Sequence, residues 1–498
     1  MAKEYVSSDT AKLEFVDEDT QKKRKMELLW GDPVEVLSQS GPTAKVRARG
    51  VEGRMKRSDL GGDPLLEVYF IDVGQGDGVL IVTPDRKHVL VDGGYIRERQ
   101  PTGKSAADFV DWKFVRDYGE KRIRLDAMIA SHCDADHYGG LWDLLSQDFE
   151  DTRELDAEGV DVDVLYHAGV SWWVDPESGK RHLGPVREIG GRDFLVQLLG
   201  AKSDVKEALA HDASPALQGE WARFMQAAVE NGCDIQRLSH FDEWVPGFEP
   251  RLDESNATMR ILAPVEFLDT RANPMVRAYT KSHSQNTNGH SLLIRLDYGR
   301  SRILLTGDLN KRSMRAILED VERAELACDV AKGCHHGSDD VSYEFLQAMG
   351  ASATVISSGD NEGHAHPRPT IVAASAQTGH VTIDDDEMKT PLVYSTEISR
   401  SIDIGKLTSI VDPEYPHDGG DIAVEIEPRD FATLHYEVVK AGDLNPKKTS
   451  RPYYRNTRVV HGVTYGLVNV RTDGSKILCA TLNEKKDEWE VETFQSRF

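Results

Sequence analysis

Nowhere in the chain do about 18 apolar residues follow one another, the length a membrane-crossing helix needs, so no membrane partner is expected. Cysteine is scarce too. Five are scattered over 498 residues (Cys133, Cys233, Cys328, Cys334 and Cys479), an odd number that argues against a disulfide framework and for a reducing compartment. The opening MAKEYVSSDTAKLEF has no apolar stretch of the kind a secretory signal uses, so a cytoplasmic location is expected. Positive charge is in deficit: 60 Lys and Arg face 84 Asp and Glu, a formal net charge of −24. Such a chain is not drawn nonspecifically to nucleic acid or an anionic membrane. A local basic groove or bound cations could still receive an anion. Nucleophile motifs are missing as well, with no Gly-x-Ser-x-Gly and no Walker loop. The stretch GQGDG is glycine-rich but precedes a strand rather than a helix, which argues against a phosphate cradle.

What remains is the composition of a globular protein, 39% apolar and 29% charged. Residues 1–62 are close to neutral, so nearly all the negative charge lies downstream. Within them, DPVEVLSQSGPTAKVRARGVEGRMKRSDL alternates apolar and polar residues between Gly and Pro breaks, the pattern of short antiparallel strands in a small barrel. This stretch resembles bacterial Src-homology-3-like modules, which implies a protein partner; an ordinary β-appendage on the main domain is the alternative. From residue 66 the texture becomes strand, polar loop, helix, repeated. LEVYFIDVGQGDGVLIV and KHVLVDGG read as strands broken at glycine turns, and LDAMIASHCDADH as a buried strand running into a polar loop. HSLLIRLDYGRSRILLTGD reads as two strands about a Gly turn. Residues 63–400 form the expected main domain, with an insertion over about 150–285 holding helices near 192–210 and 216–231. Residues 401–498 are expected to be an extension packed on that domain, with a hairpin at YGLVNVRTDGSKILCATLN. The arrangement suits an α/β fold of two sheets covered by helices, with a site along one edge.

The chemistry concentrates in loops that end predicted strands. HCDADH supplies His132, Asp134, Asp136 and His137. TNGHS supplies His290, TGD supplies Asp308, CHHGS supplies His335 and His336, and GHAHP adds His364 and His366. Imidazole and carboxylate are the donors proteins most often offer to divalent metals. One such loop could be a hydrogen-bonded turn. An ordered set, most members ending a strand, is much harder to obtain by accident.

With these motifs in order, the sequence resembles the metallo-β-lactamase fold superfamily, whose signature is His-x-His-x-Asp-His followed by later His, Asp and His motifs. It is closer still to the soluble hydrolase domain of the ComEC DNA-uptake family, on IDVGQGD, SHCDADHYGG, LLTGD, HHGS and GHAHP. The resemblance covers roughly residues 66–400 and departs from the uptake channel in having no membrane segment. It implies an αββα sandwich holding two divalent ions, Zn or Mn. His132, Asp134 and His290 are expected at one ion, although His290 could equally contact substrate. Asp136, His137 and one of His335 and His336 are expected at the other, with Asp308 as the bridge. Asp92, Asp72 and Asp77 would orient imidazoles or close glycine turns. An Asp at 134, where the signature has His, makes its site harder and shifts preference from Zn toward Mn or Mg. Asp136 counts as both ligand and catalytic residue, and His364 or His366 would protonate the leaving oxygen. The implied activity is phosphodiester hydrolysis, with nucleic acid as the leading substrate class. Hydrolysis of a small ester or lactone, or partner binding with an idle metal site, are the alternatives.

Overall fold

The structure, a computed structural model, describes the chain except residues 1, 18–20, 101–103, 147–154, 253–255, 360–365, 397–402, 407–409, 412–422, 425–432, 439–446, 453–457, 462–466 and 484–487. It separates into two units, one of Met1–Ser399 with Tyr465–Phe498 and one of Arg400–Thr464. The smaller unit is described through short antiparallel pairs, such as Thr433–Val438 with Lys447–Pro452.

Two sheets organise the larger unit. The first has nine strands in the spatial order Asp234–Arg237, Val164–His167, Ala127–Ala130, His88–Gly93, Gly78–Val82, Leu66–Ile71, Leu467–Thr472, Lys476–Asn483 and Glu488–Gln495. The second has six, ordered Thr258–Ala263, Leu293–Tyr298, Ser301–Leu305, Val330–Lys332, Ala353–Ile356 and Leu392–Ser395. The period-two alternation of a strand explains the layering. Leu66, Val68 and Phe70 enter the core between the sheets, where they meet Ile294, Leu296, Ile303 and Leu305. Tyr69 and Ile71 point the other way, into a core shared with helices Ala106–Trp112, Ala135–Leu145 and Gly219–Asn231. On the far side, Leu293, Leu304 and Ala331 pack under helices Lys311–Asp320, Tyr343–Met349 and Pro369–Thr378. The result is a helix–sheet–sheet–helix arrangement. Each fully buried Leu or Phe contributes roughly 1.5–3 kcal/mol of transfer free energy to it.

Helix Gly219–Asn231 shows how packing sets the site. Trp221, Phe224, Met225 and Ala228 fall on one face and are buried, and the helix stops at Gly232 in the left-handed region (φ 93°). Phe224 stacks on Tyr138 at 5.1 Å between ring centroids. That contact presses on the helix whose first turn carries Asp136 and His137.

Several boundaries differ from the sequence expectation. Residues 401–498 are not one extension: 400–464 form their own unit, while the expected hairpin near the end joins the large sheet, Leu467–Thr472 pairing with Leu66–Ile71. Val468, Val470, Ile477 and Cys479 belong to the inter-sheet core, and Leu467, Leu478 and Ala480 to the outer one, so these strands need both layers. The segment 150–285 is only partly an insertion. Val164–His167 and Asp234–Arg237 extend the first sheet in parallel, and Thr258–Ala263 opens the second. Helices Lys202–Leu209 and Gly219–Asn231 lie where helices were expected, but Arg192–Leu195 is a strand.

Residues 2–62 contribute a seven-stranded antiparallel sheet with its own core of Val6, Leu13, Leu28, Val34, Val46 and Met55. It is tied to the large sheet by buried charge. Arg471 donates to the Trp30 carbonyl (2.6 Å) and pairs with Asp32 (2.7 Å), which also pairs with Arg49 (2.7 Å). Among the described residues no helix is long and apolar enough to cross a membrane.

Candidate metal centre

The polar loops converge at one edge of the two sheets, because the strands that deliver them end there. Strand Ala127–Ala130 leads into His132, Ser301–Leu305 into Asp308, and Val330–Lys332 into His335 and His336. The GQGDG turn closes against the same place. Gly76 has φ 111°, and a Cβ on it would lie 1.8 Å from the Asp136 carbonyl oxygen, so only glycine lets this turn sit on the metal loop.

Three histidines reach the centre in a similar way: one ring nitrogen faces a carboxylate or hydroxyls and the other aims inward. His137 Nδ1 lies 2.9 Å from Asp92, whose other oxygen accepts from the Ser131 amide (2.7 Å). His336 Nδ1 lies 3.2 Å from Asp77. His132 Nδ1 is met by the hydroxyls of Ser131 (3.1 Å) and Ser291 (3.3 Å). The opposite nitrogens converge on carboxylates. His137 Nε2 and His336 Nε2 stand 3.3 and 3.0 Å from Asp308 Oδ2, and His336 Nε2 is 3.7 Å from Asp136. Holding one nitrogen fixes the tautomer that exposes the other, as metal-binding histidines require.

The donor set fits divalent ions. His132, His137 and Asp308 form one group, and Asp136, His137 and His336 another, with donor atoms within 4.8 Å of one another in each. Nε2 of His132 and His137, and both ring nitrogens of His336, are buried without a hydrogen bond of good geometry. Electrostatics shows what such crowding does. Burial would lower the His336 pKa, but Asp308 and Asp77 overcome it and raise it to about 10. His137 is likewise held well above its usual value, burial again being outweighed by Asp308 and Asp92. Burial and then Asp136 push the Asp134 carboxyl up to about 7.

The structure sorts the sequence candidates. His132, Asp136, His137, Asp308 and His336 come together, while Asp134 joins no donor group among the described residues: its Oδ2 lies 3.7 Å from His132 Nε2 and accepts from Thr287 Oγ1 (2.8 Å). Of the adjacent pair, His336 turns inward and is buried; His335 is 26% exposed, its Nε2 3.8 Å from Asp308. Both have left-handed backbone (φ 46° and 52°), which sends their side chains different ways. His290 departs from the expectation. Its Nε2 donates to the Arg277 carbonyl (2.7 Å), its ring stacks on Tyr279, and it joins no donor group among the described residues. His366 faces His335 at 6.0 Å between ring centroids, while His364 lies outside the described residues. Asp72 accepts from the Gly74 amide (3.1 Å) and so closes the turn.

One member was missed. Lys332 is fully buried between Asp77, with which it pairs, and Asp308 Oδ1 (3.7 Å), and it donates to the Gly307 carbonyl (2.8 Å). Its position at the end of a buried strand, three residues before His335, was the available signal. A lysine is almost never buried there without an acidic partner.

Residues 71–153 match the Metallo-beta-lactamase superfamily. The chain is also 25% identical over 316 residues to ComE operon protein 3 of Bacillus subtilis (strain 168). That similarity covers 61% of this chain and 30% of the relative, so the chain spans under a third of that protein's length. Metal-dependent hydrolases make up most of the superfamily, and the converging His and Asp groups accord with divalent metal binding. The match covers the loops that carry Asp77, Asp92 and His132 to His137, while Asp308 and His336 lie beyond it, and over residues 71–153 the chain carries a metallo-beta-lactamase superfamily domain.

Proposed function

We propose that the protein is a two-metal phosphodiesterase acting on nucleic acid. The observation that carries this reading is the convergence of three imidazole Nε2 atoms on Asp136 and Asp308. Asp136, His137 and His336 would hold one ion, His132 with Asp134 the other, and Asp308 would face both. Bound ions of this kind bring the pKa of a water to about 7 and polarise a phosphoryl oxygen. The chain's residues do the rest. Asp92 and Asp77 keep His137 and His336 oriented, and Lys332 offsets carboxylate charge. His366, whose ring lies 6.0 Å from that of His335, would give a proton to the leaving oxygen. The carboxylate at 134 favours Mn or Mg over Zn. Residues 1–62, as a Src-homology-3-like module, would serve a protein partner. The five cysteines are free and buried, in keeping with a reducing, cytoplasmic setting.

The test is metal-stripped protein reloaded with Mn, Zn or Mg and assayed on single- and double-stranded DNA, RNA, bis-p-nitrophenyl phosphate and p-nitrophenyl acetate. Diester hydrolysis with bound metal in elemental analysis is expected, and Asp136→Asn with His137→Ala should reduce it to background. Turnover of the acetate alone would favour the ester reading, and failure to retain metal would overturn both.

A further inference from the structure

We propose that strand pair Trp173–Val174 with Arg181–His182, together with the start of helix His283–Gly289, forms a rim that grips the phosphate backbone of nucleic acid beside the metal centre. This rests on the phosphodiesterase reading above and names the element that would make it selective for a polymer.

The rim is fastened to the metal loop from two sides. The buried indole of Trp172 donates from Nε1 to the carbonyl of Cys133 (2.9 Å), the residue between His132 and Asp134. From the other side, Thr287 donates to Asp134 (2.8 Å), one helical turn after His283. Trp172 and His283 meet edge to face at 5.8 Å between centroids, which joins the two attachments. Whatever lies on this rim therefore lies next to the centre.

Its charge is the second observation. The Arg181 guanidinium sits over the Trp172 ring at 4.4 Å. Stacking braces the side chain and leaves the planar N–H fork able to take a phosphate in two bonds. Partial burial and then His182 and Arg181 push the His283 imidazole down, so the three groups share one small region. Lys180 and Lys281 are exposed, the first beside Arg181 and the second two residues before His283. Among the described residues, none of Lys180, Arg181, His182, Lys281 and His283 forms an ion pair with a carboxylate. The nearby Asp175 accepts from the amides of Glu177 (3.1 Å) and Ser178 (2.7 Å) in its own turn and feels the charge of His182 without forming an ion pair with it.

Cations without a carboxylate partner also occur elsewhere among the described residues, as at Lys12, Arg54, Lys311 and Arg315, but those at the rim flank the metal loop in a chain of net charge −24. The contrast with the N-terminal sheet is direct. There Lys45 pairs with Glu52 (2.8 Å), Arg47 with Glu35 (2.9 Å), Arg49 with Asp32 (2.7 Å) and Arg57 with Glu4 (2.8 Å). Half of the twelve basic residues in that segment have a carboxylate partner within it, whereas none of the five basic side chains at the rim has one among the described residues. A polyanion lying across the rim would meet several of them while presenting one diester to the centre.

The experiment measures binding of fluorescein-labelled oligo-dT to the full chain by anisotropy across a salt series, with bis-p-nitrophenyl phosphate hydrolysis followed in parallel. Arg181→Glu and, separately, Lys281→Glu, which leaves the Trp172 stack untouched, should each weaken oligo-dT binding about tenfold and lower the salt slope by about 1. Arg181→Lys should recover part of the loss. Circular dichroism confirms the fold of each variant. Unchanged affinity and slope in both charge reversals, in a protein that still cleaves the diester, would overturn the rim alone. A wild-type chain that neither binds oligo-dT nor hydrolyses the diester would overturn the functional reading and the rim with it. Equal or tighter binding to phosphatidylserine vesicles, lost in the same variants, would reassign the surface to membrane and overturn the nucleic-acid proposal.

Discussion

Two clusters of charge are buried in the larger unit, and they differ in one respect. Where the N-terminal sheet meets the large sheet, Asp32, Glu67 and Asp117 face Arg49, Lys113 and Arg471. Three anions meet three cations, and the cluster is closed. At the metal centre Asp77, Asp92, Asp134, Asp136 and Asp308 share one pocket with a single fixed cation, Lys332. That cluster is open: Lys332 offsets one carboxylate, and two divalent ions would offset the other four. Burying unpaired charge is costly, so a closed cluster can serve the fold alone, whereas an open one calls for cations from outside. The protonation pattern follows. In the closed cluster, burial would raise the Asp32 pKa, but Arg471 and Arg49 hold it far below its usual value. In the open one, carboxylates raise the pKa of His137 and His336 so that these two balance negative charge, while burial pushes His132 well down.

The largest expected effect comes from breaking the closed cluster. Arg471→Met leaves Asp32 with Arg49 alone and Glu67 with only Lys113 at 3.9 Å as ion-pair partners among the described residues, and should cost about 3–5 kcal/mol in urea unfolding, with no rescue by added metal. Its pH dependence has a definite sign. Because the folded pKa of Asp32 is depressed, its stabilisation is complete above the unfolded value of 3.8 and is lost as pH falls toward the folded one. The deficit of the variant should therefore stay constant from pH 8 to 5 and shrink on stronger acidification. A deficit that instead grew toward acid would mean that Arg471 does not set the Asp32 charge.

Lys332→Met tests the open cluster. It should cost less, about 1–3 kcal/mol in metal-stripped protein, since imidazoles share the burden of Asp77 and Asp308. Unlike the first variant, it should be rescued by Mn, with a larger metal-induced rise in Tm than wild type, because cations then supply what the lysine did. Thermal unfolding across a Mn titration reads this directly; an equal rise in both proteins would show that Lys332 is not part of the charge balance.

The smallest effect is expected from exchanging one proposed donor. Asp134→His should move preference toward Zn by about tenfold in competition binding against Mn, as a hard oxygen gives way to imidazole. No change would remove residue 134 from the donor set.

Much of this centre could be read from the chain. His132, Asp134, Asp136 and His137 announce themselves because their functional spacing is local, set by one strand end and the first turn of one helix. Asp308 and the histidine pair were legible for the same reason, each in a polar loop after an apolar strand. The choice between His335 and His336 was not, since it depends on two successive left-handed backbone angles. His290 looked like a ligand from its place in the order of motifs, yet the Arg277 carbonyl and the Tyr279 ring, both delivered by neighbouring chain, claim it.

By itself the sequence determined the donor loops, the alternating strands that carry them, the excess of negative charge and the lack of any apolar run able to span a bilayer. Only the tertiary structure decided which charges are already satisfied. Asp77 and Lys332, or Asp32 and Arg471, lie far apart in the chain, and nothing in their local sequence marks them as partners. Nor does composition separate Arg47, paired across its own sheet, from Arg181, braced on Trp172 and left without a carboxylate. Charge balance is a property of distances between residues that the fold brings together, and those distances exist only once the sheets have packed.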